Sequence, residues 1–486
     1  MKTIIRALYI TVAVFIVGSC TDDITSINKN PKAYQSGTIP AETFFSNATR
    51  NLSDAVVYGF NFKILSQQFA QTTYFDFSAY NLVDVGSGFW VSLYRDVLLD
   101  YKESKKIIME SPSLFPVVDK NKLAIIEIME VYTYSILVNT FGDVPYSGAV
   151  NTALKSQALD SDNLTPEYDD AATIYADLFT RLDAAIASLD KGAASFGSAD
   201  LLYGGNVTSW LKFANSLKLK MAMTLADVDA AKAKSLSEAA VTAGVFTSNA
   251  DNAKITYLGT TPNTNPIWVG LIQSSREDYV ASNTIMDLLQ APAIDDPRIP
   301  LYFTKDNAGG YSGGTYGRSN SYVTFSKAGA AMTATTTPGI LMDYSEMEFY
   351  LSEAAARGYT VGGTAASHYA AGITASIVYW GGTEASATAY LADPNVAYAT
   401  ALGGTDLNKI ARQKYLALFN RGLEAWVEYR RLDYPTFNVP PIPQGEFPIR
   451  YTYPNSEQTS NIKSYTAAAA AIGGDKLSTK VFWDGK

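Results

Sequence analysis

Among 486 residues there is one histidine and one cysteine, so few ways of doing nucleophilic or metal chemistry are open to this chain. A Ser-His-Asp triad could form only around His368, whose setting "AASHYAAG" reads as an ordinary helix turn. A His-rich metal site is excluded, and so is a Cys-ligated structural zinc. Two carboxylates suffice for glycoside hydrolysis, and 47 acidic residues leave that route open, although no pair is marked by its context. The Gly-rich run "DNAGGYSGGTYGRSNSY", Asp306 to Tyr322, lacks the Gly-Lys-Ser/Thr ending of a phosphate loop. The close-set aspartates of "DVDAAKA" and "DSDNLTPEYDD" do not match a twelve-residue calcium loop, so no cofactor is expected and a structural calcium ion stays an open alternative.

What these loops do carry is aromatic rings beside amides and carboxylates. "AQTTYFDFSAYNLVDVGSGFW" sets Tyr74, Phe75, Phe77, Tyr80 and Trp90 among Asp76, Asn81 and Asp84. "TPNTNPIWVG" adds Trp268, and the Gly-rich run adds Tyr311, Tyr316 and Tyr322. A ring face can lie against the apolar face of a sugar while nearby polar groups take its hydroxyls. The same Gly-rich run reads equally as a surface loop. Aromatics on helical stripes, such as Trp210, Phe213, Trp426 and Tyr429, are read as core.

The cysteine belongs to the N-terminus. Lys2 and Arg6 precede an apolar run from Ala7 to Val17, interrupted only by Thr11, and Gly18-Ser19 supply small residues before Cys20. Eleven residues at about 1.5 Å each fall short of a hydrocarbon core of roughly 30 Å. No later stretch reads as a span either. Val17-Gly18-Ser19-Cys20 therefore reads as a lipoprotein signal, residues 1–19, with Cys20 as the lipid-bearing first mature residue. The polar segment over 20–40 reads as a tether. A net charge of −9 with no basic stripe argues against a nucleic-acid partner.

The elements that must position these loops are helices. Apolar spacing predicts one from Thr165, with Pro166 at its first position, through Ile174, Leu178, Leu182 and Ile186 to Gly192. A second carries Trp210, Phe213, Leu217, Met221 and Leu225, with Lys212, Lys218 and Lys220 largely off the stripe. Ser345-x-x-Glu348 reads as a capping box for a helix ending at Gly358. A long helix runs from Leu407 through Tyr415, Gly422, Trp426 and Tyr429 to Pro435. Further helices are expected near 42–57, 88–110, 120–141, 231–243 and 366–380. Between 245 and 340, and again over 435–486, Gly, Pro, Asn and Tyr predict loop-rich excursions, with short strands at "KITYLG" and "SYVTF". The fold class is mainly α, a helical-repeat scaffold formed as one domain over 41–486.

Several of these stretches, in order along the mature chain, resemble the SusD/RagB family, the outer-membrane nutrient-binding lipoproteins of Bacteroidetes. They include "TDDITSINKNP", "FGDVPYSGA", "TPEYDDAATIYADLFTRLDAAI", "WLKFANSLKLKMAM", "EMEFYLSEAAARGY", "RQKYLALFNRGLEAWVEYRRLDYP" and "PIRYTYPNSEQTSN". The resemblance implies about four tetratricopeptide-like helix pairs, a loop-rich half bearing the ligand site, and no catalysis. It also implies a glycan ligand, a SusC-like TonB-dependent transporter as partner, and a lipid-anchored place at the cell surface. Peptide binding is the alternative within the family, and a surface glycoside hydrolase the alternative outside it. By position it makes Tyr74, Phe75, Tyr80, Asn81, Trp268, Tyr311 and Tyr316 the candidate ligand-binding residues.

Overall fold

Phe45, Ala48, Leu52 and Val56 fall on one face of a helix at spacings of three and four, and that face is buried. In the computed structural model, which describes residues 39–292 and 295–485, this helix is α1, Ala41–Tyr58. The signal segment, Cys20 and the tether as far as residue 38 lie outside the described residues. After α2, Phe60–Leu65, and strand β1, Phe69–Gln71, comes a helical run of changing pitch. It comprises α3, Ser87–Val91, a π-helical stretch, Ser92–Leu98, and α4, Leu99–Glu110. This run packs antiparallel to α1: Ser104 Oγ donates to the Ala41 carbonyl (2.8 Å), Asn47 to Asp100 (2.7 Å) and Asn51 to the Asp96 carbonyl (3.0 Å).

The second pair is α5, Pro116–Phe141, with α6, Ala171–Ser188, joined where Arg181 reaches Glu127 and Glu130. The third is α7, Val207–Thr224, with α8, Ala230–Ala243. An irregular stretch follows, holding β2, Ala253–Ile255, α9, Pro266–Trp268, a π-helical turn, Val269–Gln273, and β3, Tyr279–Ala281. It continues through α10, Asn283–Gln290, α11, Ile299–Tyr302, α12, Ala330–Thr333, and β4, Gly339–Met342. The strands form two antiparallel ribbons, β1 with β3 (Gln71 opposite Tyr279) and β2 with β4 (Ile255 opposite Gly339). The fourth pair is α13, Tyr344–Ala356, with α14, Ala365–Tyr379, crossed by hydrogen bonds from Ser345 to Gly372 and from Ser352 to Ala365, both 2.7 Å. Helices α15, Glu384–Leu391, α16, Asp406–Ala417, and α17, Gly422–Leu432, complete the frame. The C-terminal stretch adds α18, Asn455–Ser460, and α19, Ile462–Ala471.

Several expected details change. The helix expected from Thr165 starts at Ala171, because the Asp170 carboxylate, not Thr165, accepts the Thr173 N–H (2.8 Å). It ends at Ser188, short of Gly192. Ser345 is not the cap of α13: Asp343 accepts the Glu346 N–H (2.7 Å), and Ser345 lies inside the helix. "SYVTF" lies in turns, while "KITYLG" does begin with β2. Lys220 is buried, paired with Glu346 and Glu424. Helix α5 is long and apolar enough to cross a membrane, contrary to the sequence reading, but 89% of its most apolar window is buried inside the fold.

The long helix expected to Pro435 is broken between α16 and α17, where Asn420 takes a left-handed φ of 66°. The break lets α17 begin against α2. Gly422 is needed there for closeness: a Cβ on it would stand 2.4 Å from the Lys63 backbone nitrogen. That contact brings α17 onto the segment that shapes the site described next.

Candidate functional site

Helix α1 ends at Tyr58, turns at Gly59 and restarts as α2, so Tyr58, Phe60, Asn61 and Phe62 present themselves along one kinked edge. Across from it stand Val85, Gly88 and Phe89, then Ser92 and Asp96 of the π-helical stretch, with Pro266 and Tyr279 closing the side. Between them lies a cleft of about 520 Å³, within the size range of small-molecule sites. The wider turn of a π-helix is often met at functional sites. Here one such stretch lines the cleft, and the second follows directly on Trp268.

The walls are aromatic and braced from behind. Tyr279 stacks on Phe60 (4.3 Å between centroids, 13° between planes), and Tyr58 meets Phe60 edge-on (6.1 Å). Phe89 packs edge-on to Phe62, itself stacked on buried Tyr451 (5.0 Å). Tyr58 is 43% exposed, so it keeps ring surface free. Among the rings stand Asn51, Asp54, Asn61 and Asp96. The Asp54 carboxylate accepts from the Tyr257 hydroxyl (2.5 Å) and pairs with Arg50 (3.4 Å); burial raises its pKa despite these partners. Asp96 accepts two bonds from Arg95, at 2.7 and 2.9 Å. Both carboxylates are thus engaged by the protein, and the arrangement suits recognition of a neutral, hydroxyl-rich ring rather than attack on one.

A second cavity of about 320 Å³ lies on the other side of α1, against Val56 and Val57. Of its charged lining, Arg421 and Asp343 pair with each other at 3.0 Å, and Lys254 is exposed at its edge.

The aromatic loops singled out in the sequence divide into two kinds. Tyr74 is 80% exposed; its carbonyl accepts from Gln71, the cross-strand neighbour of Tyr279, which ties its loop to the cleft wall. Phe75 is half-buried and Asn81 exposed. Ser319 and Asn320 bond to Thr72 and Gln71 (2.5–3.0 Å), so the Tyr74 loop and the Gly-rich loop are stitched together. Trp268 is half-buried at the end of α9, two residues from Pro266 of the cleft. Tyr311 is half-buried against the second apolar core.

Tyr80 and Tyr316 require a correction. They are 7% and 1% exposed, their rings 6.3 Å apart over Ile64, with Phe447 edge-on to Tyr80. Neither has a free face to offer a ligand; they are the floor on which the loops rest. The sequence reading passed over Tyr58, Phe89 and Tyr279. The available signal was an aromatic, Tyr58, at a helix end directly before a glycine.

His368 joins α14 to α13: its Nδ1 meets Glu348 (2.6 Å) and its Nε2 the Gly362 carbonyl (2.8 Å). Burial opposes the imidazolium, yet these two bonds outweigh it and raise the pKa above 6.5. The stability this gives is therefore full below pH 6.5 and lost as pH rises through the folded value. Because His368 is the only histidine, its imidazole resonance is unambiguous. An NMR titration is expected to show a midpoint above 6.5, and a midpoint at or below that would contradict the assignment. Among the described residues no group of three or more His, Cys, Asp or Glu side chains is placed to hold a metal. The suspect aspartates have other work: Asp229 caps α8, and Asp169 accepts the Lys155 and Ser156 N–H groups.

Residues 31–454 match the family model described as starch-binding, associating with the outer membrane. Among solved structures, a chitin-binding protein is 26% identical, with a TM-score of 0.78 over 91% of this chain and 99% of its own. A chitin-binding SusD homolog from Flavobacterium johnsoniae is 28% identical, TM-score 0.75, covering 92% and 97%. A SusD homolog from Bacteroides uniformis is 27% identical, TM-score 0.75, covering 92% and 99%. No curated protein sequence matches.

Proposed function

Because the chain belongs to the SusD-like family, we propose that it is a non-catalytic glycan-binding protein, which takes an oligosaccharide into the cleft between Tyr58 and Tyr279. The observation that carries this reading is the composition of that cleft, aromatic walls with Asn51, Asp54, Asn61 and Asp96 set among them. Exposed Tyr74 and Asn81, on the loop fastened beside it, extend the same surface for a longer chain, with Trp268 and Tyr311 as further contributors. The two chitin-binding relatives make N-acetylglucosamine oligomers the first probe, with maltooligosaccharides second.

At the cell surface, anchored by lipid on Cys20, the protein passes its ligand to a SusC-like TonB-dependent barrel. Calorimetry against a glycan panel is the test. Binding of an oligosaccharide without release of shorter products is expected. Product release abolished by Asp54→Asn would replace this reading with a hydrolase. Capture of peptides and of no glycan would replace it with the peptide-handling alternative.

A further inference from the structure

Between α4 and α5 the chain reverses in five residues, Ser111 to Phe115, with its apolar side chains outward. Leu114 is 92% exposed, Phe115 68%, Met109 60% and Val117 45%. The turn does not depend on those side chains, because Asp119 accepts the Ser113 N–H (2.6 Å) and Pro116 sets the entry into α5. Lys106 and Lys120 are exposed beside it. A solvent-facing cluster of this kind marks a surface that meets another apolar phase.

The position of the chain's entry identifies that phase. The Ala41 carbonyl accepts from Ser104, and Glu42 pairs with Lys122 at 2.6 Å. Ser104 lies six residues before the end of α4 and Lys122 six after the start of α5, about 9 Å along each axis. The fold thus begins close to the exposed turn. Pro40 stands twenty positions after Cys20, and a chain of that length reaches no further than about 70 Å at full extension. Lipid carried on Cys20 and the turn can reach one leaflet together.

We propose that the turn from Met109 to Val117 is a membrane-contact knob, seated at the headgroup boundary of the leaflet that holds the acylated Cys20. The proposal rests on the reading of Cys20 as the lipid-bearing residue. A lipid anchor alone fixes attachment and leaves orientation free; a second apolar contact fixes both. The consequence for the site follows from α1, whose 18 residues run about 27 Å from the entry at Ala41 to Tyr58. With the knob on the membrane, the cleft is held at the far end of that helix.

The test uses the mature chain carrying Cys20→Ala, so that no acyl chain contributes, floated with phosphatidylcholine vesicles. Its partition is expected to exceed that of the same chain with Leu114→Ser and Phe115→Ser by about tenfold or more. With Phe115→Trp, brominated acyl chains are expected to quench the new fluorophore on vesicles, and not one introduced as Val439→Trp. Equal flotation of the two chains, absence of flotation, or an unquenched indole at 115 overturns the proposal. Unchanged flotation with lost co-purification of a transporter assigns the turn to a protein partner and overturns it too. Mass spectrometry of the N-terminus of the protein purified from cells tests the lipid separately: an unacylated Cys20 would remove the lipid reading and leave the flotation result standing.

Discussion

Replacing Arg431 with methionine is expected to lower the free energy of unfolding by about 3–5 kcal/mol, the cost of breaking a buried ion pair by removing one partner. Arg431 lies on α17 with its Nη1 on Glu353 (2.7 Å) and its Nη2 on both Glu353 and Glu428 (2.7 Å to the latter). All three side chains are essentially inaccessible. Without the guanidinium, Glu353 keeps Arg357 (2.9 Å), and Glu428 keeps Lys414 and the Tyr350 hydroxyl (both 2.7 Å). The pH dependence gives a second check. Burial pushes both carboxyls up, but Arg431 above all holds them below the usual 4.5, so their stabilisation is present above pH 4.5 and lost as pH falls. In the variant the cost of burying the two charges meets less opposition, and protonation relieves part of it. The difference between the two proteins, read from urea midpoints, is therefore expected to be smaller at pH 4 than at pH 7. A loss below about 1 kcal/mol at pH 7 would show that water or rearrangement compensates the pair.

That network also marks the limit of what could be read in advance. Arg421, Glu424, Glu428 and Arg431 recur at spacings of three and four, and all are buried against partners on α7, α13 and α16. The same spacing that predicts an apolar stripe was present in charge, and hydropathy alone assigns charge to the solvent side. Lys220 was misread for this reason. Helix existence was legible because apolar periodicity is local; helix starts were less so. Pro166 accepts a hydrogen bond from Asn461, almost 300 residues away, and Asp143 accepts the Ala171 N–H that begins α6. Those contacts place the start of α6 five residues after Pro166.

The site was half legible for a related reason. Composition drew attention to the Tyr74 loop and the Gly-rich loop, and the two are indeed fastened to each other through Thr72 and Asn320. It could not separate a ring that faces solvent from one that supports the loop. Tyr74 and Tyr80 are six residues apart in one loop; the second turns inward at a φ of 66° to meet Phe447 and Tyr316. Its burial is decided by residues hundreds of positions later. The cleft aromatics Tyr58 and Tyr279 sit at element ends, where a helix stripe or strand alternation hides them among core residues.

Tyr58→Ala is expected to weaken oligosaccharide binding by about 10- to 100-fold, roughly 1.4–2.7 kcal/mol, the scale of one well-braced aromatic platform. The ring is held on one side by Phe60 and backed by Gly270, where an added Cβ would come within 2.5 Å of it. What remains open faces the cleft, so little ordering is needed when a sugar ring is laid on it. Because Tyr58 is 43% exposed and outside the apolar cores, its removal should leave thermal unfolding nearly unchanged, which Tyr279→Ala, by exposing Phe60, should not. Tyr58→Phe separates ring from hydroxyl: affinity within about threefold of the native protein is expected if stacking dominates. Tyr74→Ala is the comparator. Tyr74 is 80% exposed and its loop is tied through backbone groups, so the ring must be ordered on binding and its loss should cost less. A neutral glycan engages no counter-charge in this cleft, so raising the salt should leave the native affinity nearly unmoved. Should Tyr58→Ala bind as tightly as the native chain while Tyr74→Ala does not, the ligand surface would move from the cleft to the joined loops above the Tyr80 and Tyr316 floor.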